Sequence, residues 1–177
     1  MEVIMIRVIL YHPEIPQNTG NIMRTCVAMN AQLIIIGPIP FSLDEKALKR
    51  AGMDYIKDLD MKYYHNYDEF YEDFKNEEIF YITRYANKTH SDVNFKSLEG
   101  NDINVMFGRE STGIDHDILR NHFDHCLRIP MVANARSMNL SNCVAIVVAE
   151  INRQLDFAGL ERHEVIKGED FLKKEAL

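Results

Sequence analysis

Ile103-Asn104-Val105-Met106-Phe107-Gly108-Arg109-Glu110-Ser111-Thr112-Gly113 decides how the rest of this chain is read. Ile103 to Phe107 reads as a strand that runs into a polar turn bounded by Gly108 and Gly113. A helix opens after it at Ile114-Asp115, with Asp115 as its expected cap. The same layout recurs at Asn18-Thr19-Gly20-Asn21-Ile22-Met23-Arg24 and at Ser137-Met138-Asn139-Leu140-Ser141-Asn142. Three polar turns at the ends of apolar strands predict one ligand site assembled from distant parts of the chain.

Working outward, Val3 to Leu10 is a β-branched-rich apolar run and reads as a buried strand. Further strands are expected at Leu33 to Ile36, closed by Gly37-Pro38, at Ile79 to Thr83 and at Cys126 to Ile129. Between them, Asn18 or Thr19 caps a helix whose apolar face is Ile22, Cys26 and Met29. Other helices are expected at Asp44 to Ala51, ended by Gly52, at Tyr67 to Phe74 and at Leu140 to Leu155. Strands alternating with helices predict an α/β fold with a mostly parallel sheet, and strands apolar throughout predict helices on both faces. In such sheets ligands bind beyond the carboxyl ends of the strands, where Gly108, Pro130 and the turn after Thr83 lie. Val144-Ala145-Ile146-Val147-Val148-Ala149 is apolar on every side, which favours a homodimer interface over a central place in the core.

Composition sets bounds. The 177 residues, 46% hydrophobic and 27% charged, fit one ordinary globular domain, expected over residues 1–157 with a charged peripheral tail at 158–177. The formal net charge of −7 argues against affinity for nucleic acid through bulk electrostatics and leaves room for a local basic cleft. Acids concentrate in residues 66–78, whereas Arg24, Lys46, Lys49, Arg50, Arg84, Arg109 and Arg136 lie elsewhere. Cys26, Cys126 and Cys143 are scattered in apolar-patterned segments, which reads as buried free thiols in a reducing cytosol. No apolar run approaches a membrane span and the start lacks a signal-peptide pattern, so a cytoplasmic protein is expected.

Several chemistries are disfavoured. The Gly108-x4-Gly113 turn lacks the Lys-Ser/Thr of a phosphate-binding loop. No G-x-G-x-x-G comes after the first strand, which counts against a dinucleotide oxidoreductase and an ordinary Rossmann methyltransferase. His122-Phe123-Asp124-His125-Cys126 has no second ligand set at a recognisable spacing, so no metal is expected. Arg24 lies about 200° round the helix from Ile22 and points away from the apolar stripe, into solvent or a cleft at the mouth that Asn18 shares.

Glu14-Ile15-Pro16-x-Asn18-Thr19-Gly20-Asn21-Ile22-x-Arg24, Arg50-Ala51-Gly52-Met53-Asp54-Tyr55, Phe107 to Gly113, Arg128-Ile129-Pro130-Met131 and Arg136 to Asn142 together resemble the SPOUT methyltransferases. The likeness runs from about Arg7 to Leu155 and is strongest to the branch that methylates the tRNA wobble ribose. It implies a C-terminal trefoil knot, an obligate homodimer and S-adenosylmethionine as methyl donor. The cofactor positions it implies are Ile82, Gly108, Ile129, Met131, Ser137 and Met138. It implies that Arg24, Asn18, Glu110, Ser137 and Asn139 carry catalysis, and that Arg24, Lys46, Lys49, Arg50 and Arg136 contact RNA. Because arginine stays protonated, Arg24 is expected to orient the ribose and phosphate and to stabilise the oxyanion rather than to accept a proton. The implied activity is 2′-O-methylation at position 34, on cytidine or modified uridine of leucine tRNAs. The alternatives are another tRNA or rRNA site, or a catalytically silent cofactor-binding RNA module. Ala149 stands where many relatives in that branch carry a tyrosine, so any RNA contact made there is absent or taken by another group.

Overall fold

The computed structural model describes residues 4–43, 56–98 and 102–174. Seven strands form one sheet: β1 (Ile6–Tyr11), β2 (Ala31–Ile36), β3 (Met61–Tyr64), β4 (Ile79–Ile82), β5 (Lys88–Thr89), β6 (Ile103–Phe107) and β7 (Cys126–Arg128). Their order across the sheet is β3-β2-β1-β6-β4-β7-β5, and every pairing is parallel. The described helices are α1 (Pro16–Ala28), α2 (Tyr67–Phe74), α3 (His116–Asn121), α4 (Leu140–Gln154) and the short α5 (Phe171–Lys174). Among the described residues no helix is long and apolar enough to cross a membrane.

Alternation of side chains along β1 splits the core in two. Val8 and Leu10 join Leu33, Ile35, Val105 and Phe107 under α1 and α4, which contribute Ile22, Met23, Cys26, Val144, Val147, Val148 and Ile151. On the opposite face Ile9 and Tyr11 join Ile34, Ile36 and Met106, covered by Phe70 and Phe74 of α2 and Leu119 of α3. Burial on both faces is why the strands read as continuous apolar runs.

Several local features depart from the sequence reading. Strands β3 and β5 were not expected: Met61-Lys62-Tyr63-Tyr64 is half polar, and β5 is two residues long at the sheet edge. Helix α1 starts three or four residues earlier than a cap at Asn18 or Thr19 implies, with Ile15 as N-cap and Pro16 opening the helix. Proline needs no partner for an N–H at that position, so Asn18 and Thr19 do not cap but lie buried inside the first turn. Arg24 is consequently the ninth residue of α1, beyond its N-terminal turn. Asp115 precedes α3 but its side chain makes no cap bond there, being drawn to Tyr11 and Arg109. Along α4, Val144, Val147 and Val148 are buried while Ala145, Ile146 and Ala149 are half-buried, so one apolar stripe lies at the protomer surface. The helix expected over Asp44 to Ala51, its terminator Gly52, and Lys46, Lys49 and Arg50 lie outside the described residues.

Candidate active site

At the carboxyl edge of the sheet, the turns after β4, β6 and β7 and the first turns of α1 and α4 enclose a cavity of about 630 Å³. Asn18, Ile82, Gly108, Glu110, Ile129, Met131, Arg136, Ser137, Met138 and Asn139 all line it, bringing together most of the residues singled out in the sequence. Arg24 does not line it; it stands on the exposed side of α1, six residues beyond Asn18.

Glycine chemistry shapes the turn after β6. Arg109 N–H donates to Gly113 O at 3.1 Å and Gly113 N–H returns to Arg109 O at 3.0 Å, so the loop closes on itself. A Cβ on Gly108 would fall 2.2 Å from the carbonyl carbon of Gly113, and Gly113 takes φ +75°. Both glycines are therefore required by the loop's own closure, before any ligand approaches.

That loop is clasped to the segment preceding α1 in both directions. The Glu110 carboxylate accepts the backbone N–H of Glu14 at 2.9 Å and of Ile15 at 3.2 Å, and the Asn18 amide at 3.0 Å. Reciprocally, the Glu14 carboxylate accepts Ser111 N–H at 2.9 Å and the Ser111 hydroxyl at 2.8 Å. Three of its roughly four acceptor sites are filled, so Glu110 chiefly holds Asn18 and the segment leading into α1. Asn18, 6% exposed, is thereby fixed in orientation: a carboxylate only accepts, so Nδ2 must face Glu110. Its Oδ1 then accepts Asn139 Nδ2 at 2.8 Å. Asn139 Oδ1 in turn caps α4, accepting the Ser141 N–H at 2.9 Å, the Ser141 hydroxyl at 2.6 Å and the Asn142 N–H at 3.3 Å.

Arg109 is anchored beside this relay. Its guanidinium pairs with Asp115 at 2.9 Å and lies over the Tyr11 ring at 4.9 Å, while Tyr11 O–H donates to the other Asp115 oxygen at 2.5 Å. The Tyr11 hydroxyl, then Arg109, hold the Asp115 carboxyl below the usual carboxylate range, whereas burial pushes the Tyr11 phenol up. Sequence reasoning missed this cluster, because Tyr11 and Asp115 lie 104 residues apart and match no motif. It also passed over Tyr85 and Cys143 as cavity residues. Arg84 reaches across the mouth, donating to the Arg136 carbonyl at 3.0 Å, and so ties the turn after β4 to the loop that leads into α4.

Ile82, Ile129, Met131 and Met138 give the cavity apolar walls, with hydroxyl and amide groups from Thr83, Ser137 and Asn18 between them. Among the described residues no three His, Cys, Asp or Glu side chains gather as a metal site. A volume of this size suits a nucleoside-sized ligand, and the mixture of apolar wall and few polar groups suits S-adenosylmethionine.

A parallel sheet carrying a nucleoside-sized cavity at its carboxyl edge, without the glycine fingerprint of dinucleotide enzymes, defines a ligand-binding α/β domain of non-Rossmann type. Residues 5–149 match the SpoU rRNA Methylase family, and the chain belongs to that family. It is 42% identical over 161 residues to a Bacillus subtilis protein provisionally named tRNA (cytidine(34)-2′-O)-methyltransferase, covering 91% of this chain and 100% of that protein. A solved structure from Bacillus anthracis, provisionally assigned as an RNA methyltransferase, superposes with a TM-score of 0.84 at 47% identity, over 88% of this chain and 98% of the other. A second solved structure, concerned with the 2-OH methylation of C/U34 on tRNA, superposes with a TM-score of 0.77 at 34% identity, over 86% of this chain and 97% of the other.

Proposed function

We propose that this protein is a tRNA ribose 2′-O-methyltransferase that uses S-adenosylmethionine and acts on position 34, on cytidine or modified uridine of leucine tRNAs. What carries the reading is the cavity: the turns matching the family's motifs converge on it, and the chain resembles relatives bearing that activity over nearly their whole length. Bound S-adenosylmethionine would supply an electrophilic methyl group on a sulfonium, held by Ile82, Gly108, Ile129, Met131, Ser137 and Met138.

The chain's own residues supply position and charge. The relay from Glu110 through Asn18 to Asn139 presents a fixed amide edge at the cavity, suited to holding an incoming ribose hydroxyl in line. Arg24 stands outside the protomer's own cavity, so the role expected for it, orienting the ribose phosphate and stabilising the developing alkoxide, requires that the RNA be met from the exposed face of α1. Arg136, Lys46, Lys49 and Arg50 contact the RNA. The methyltransferase domain spans 1–157, knotted near its C-terminal end, and works as a homodimer joined through the half-buried stripe of Ala145, Ile146 and Ala149. These fit a cytoplasmic enzyme.

The test is transfer of labelled methyl from S-adenosylmethionine to unmodified leucine tRNA transcripts and bulk tRNA, with mapping of the product. A 2′-O-methyl group at nucleotide 34 is expected. Transfer to another nucleotide would keep the reaction and discard the wobble assignment, and cofactor binding without transfer to any RNA would favour a silent binding module.

A further inference from the structure

Tyr85 stands at the mouth of the cavity with 59% of its surface exposed, although its neighbour Ala86 is buried at 2% and pins the turn to the core. Single exposed aromatic rings are ordinary on a folded surface, and Tyr71 and Phe123 are others here; Tyr85 differs from them in standing on the rim of the ligand site. The ring is also held in place. His116, at the start of α3, packs against it edge-on with centroids 5.5 Å apart, and the Arg84 guanidinium lies 5.9 Å from its centre. Tyr85 N–H leans on the Thr83 hydroxyl at 3.4 Å. Arg84 is in turn fixed to the Arg136 carbonyl, so the ring, Arg84 and the loop carrying Arg136 form one connected rim.

Charge at this rim runs against that of the whole chain. The net charge is −7, yet the charged lining among the described residues is Arg84, Arg109 and Arg136 against Glu110; Glu110 is occupied by the turn of α1 and Arg109 by Asp115, which leaves Arg84 and Arg136 as the rim's cations. An aromatic face with a guanidinium beside it, Arg84 here, and a second cationic residue on the adjoining loop, Arg136, is what an unstacked nucleotide requires: the base stacks on the ring and the adjoining phosphate meets the cations. We propose that Tyr85, braced by His116, is a stacking platform for the single-stranded RNA base next to the nucleotide that enters the cavity, with Arg84 and Arg136 taking the phosphate between them. This deepens the reading of the cavity as an RNA ribose methyltransferase site and rests on it for the identity of the entering nucleotide. Tyr85 binds and positions; it takes no part in the transfer itself.

The experiment uses the full-length protein and anticodon stem-loop RNAs of a leucine tRNA carrying 2-aminopurine at position 33 or at position 35. Stacking on a tyrosine ring quenches this fluorophore. Wild-type protein should quench one of the two RNAs. Tyr85→Ala should abolish that quench and raise the KM for RNA about tenfold or more, with kcat and the unfolding midpoint little changed. Tyr85→Phe, which keeps the ring, should restore both quench and KM to within about twofold of wild type. If Tyr85→Ala quenches and turns over RNA like wild type, or if Tyr85→Phe is as defective as Tyr85→Ala, the platform is overturned while the methyltransferase reading stands. If wild type quenches in a Tyr85-dependent way but transfers no methyl group, the platform stands and the reaction reading falls.

Discussion

The amide of Asn139 donates to Asn18 Oδ1 at 2.8 Å, joining two helix starts that lie 121 residues apart in the chain. Asn139 is the N-cap of α4 and Asn18 lies in the first turn of α1, so one hydrogen bond fixes the relative position of both helix mouths. Glu110 completes the line from the turn after β6. Because the carboxylate can only accept and the α4 cap demands an acceptor, neither asparagine can flip, and the relay has one orientation. Under the proposed function, such fixing before substrate arrives would lower the entropic cost of positioning it.

Asn18→Asp tests that orientation. The substitution sets a second carboxylate where Nδ2 now meets Glu110 at 3.0 Å, and two carboxylates at that distance repel unless one takes a proton. Methyl transfer should fall by about a hundredfold near neutral pH, with stability lower by about 1–3 kcal/mol, and both should recover in part toward pH 5. Initial rates and urea unfolding across that range check it. An Asn18→Asp enzyme with wild-type rates at neutral pH would show that the relay does not orient the acceptor.

Arg24→Ala separates chemistry from cofactor binding. Arg24 is exposed on α1 and does not line the cavity, so its removal should leave S-adenosylhomocysteine affinity within about twofold. The role proposed for it on the incoming RNA is what predicts that transfer to tRNA becomes undetectable. Calorimetric titration beside a transfer assay reads both quantities. Loss of both together would make Arg24 a structural residue.

Gly108→Ala and Gly113→Ala should differ in severity. A methyl group at 108 meets backbone 2.2 Å away and forces the closed loop open, whereas at 113 it meets open space and pays only for φ +75°. Gly113→Ala should cost about 1–2 kcal/mol, and Gly108→Ala about 3 kcal/mol or more together with cofactor binding. Equal effects in denaturant melts would mean that loop closure is not what the glycine pair provides.

Much of this was legible in the sequence, for identifiable reasons. Residues buried on both sheet faces, such as Val8 with Ile9 or Val105 with Met106, leave unbroken apolar runs, so β1, β2, β4, β6 and β7 could be read directly. Strand β3 could not: Lys62 and Tyr63 are exposed, and β5 pairs only two residues at the edge. The cavity was legible because its three turns share a strand-to-helix layout. The Tyr11–Asp115–Arg109 cluster was not, since it depends on which strand ends adjoin, and that is set by sheet order. The start of α1 was not legible because two capping residue types, Asn18 and Thr19, sit two and three positions after the proline that already begins the helix.

Acid should weaken the Asp115 cluster in a defined window. Its carboxyl is depressed below the ordinary value of 3.8, first by the Tyr11 hydroxyl and then by Arg109, so the charged form is favoured on folding. The stabilisation is fully present above the unfolded value and is lost as pH falls through the lower folded one. With 52% of the Asp115 side chain in water, its size is about 1 kcal/mol or less. The stability gap between wild type and Asp115→Asn should be constant above pH 5 and close below pH 4. A gap that widens on acidification would reverse the assignment.

The apolar stripe on α4 predicts how the protein assembles. Val144, Val147, Val148 and Ile151 face the core, which leaves Ala145, Ile146 and Ala149 half-buried on the side away from it. A lone protomer tolerates an aspartate at such a half-exposed place, because the carboxylate can stay hydrated, but an apolar interface does not. Ile146→Asp should therefore shift the protein from dimer to monomer in sedimentation velocity at micromolar concentration. Ile146→Ala, which removes contact without adding charge, should weaken association and leave a dimer at higher concentration. Both variants sedimenting as wild type would place the subunit contact elsewhere. A monomeric wild type would leave the stripe without a role in assembly, and would require each protomer to methylate RNA with its own cavity alone.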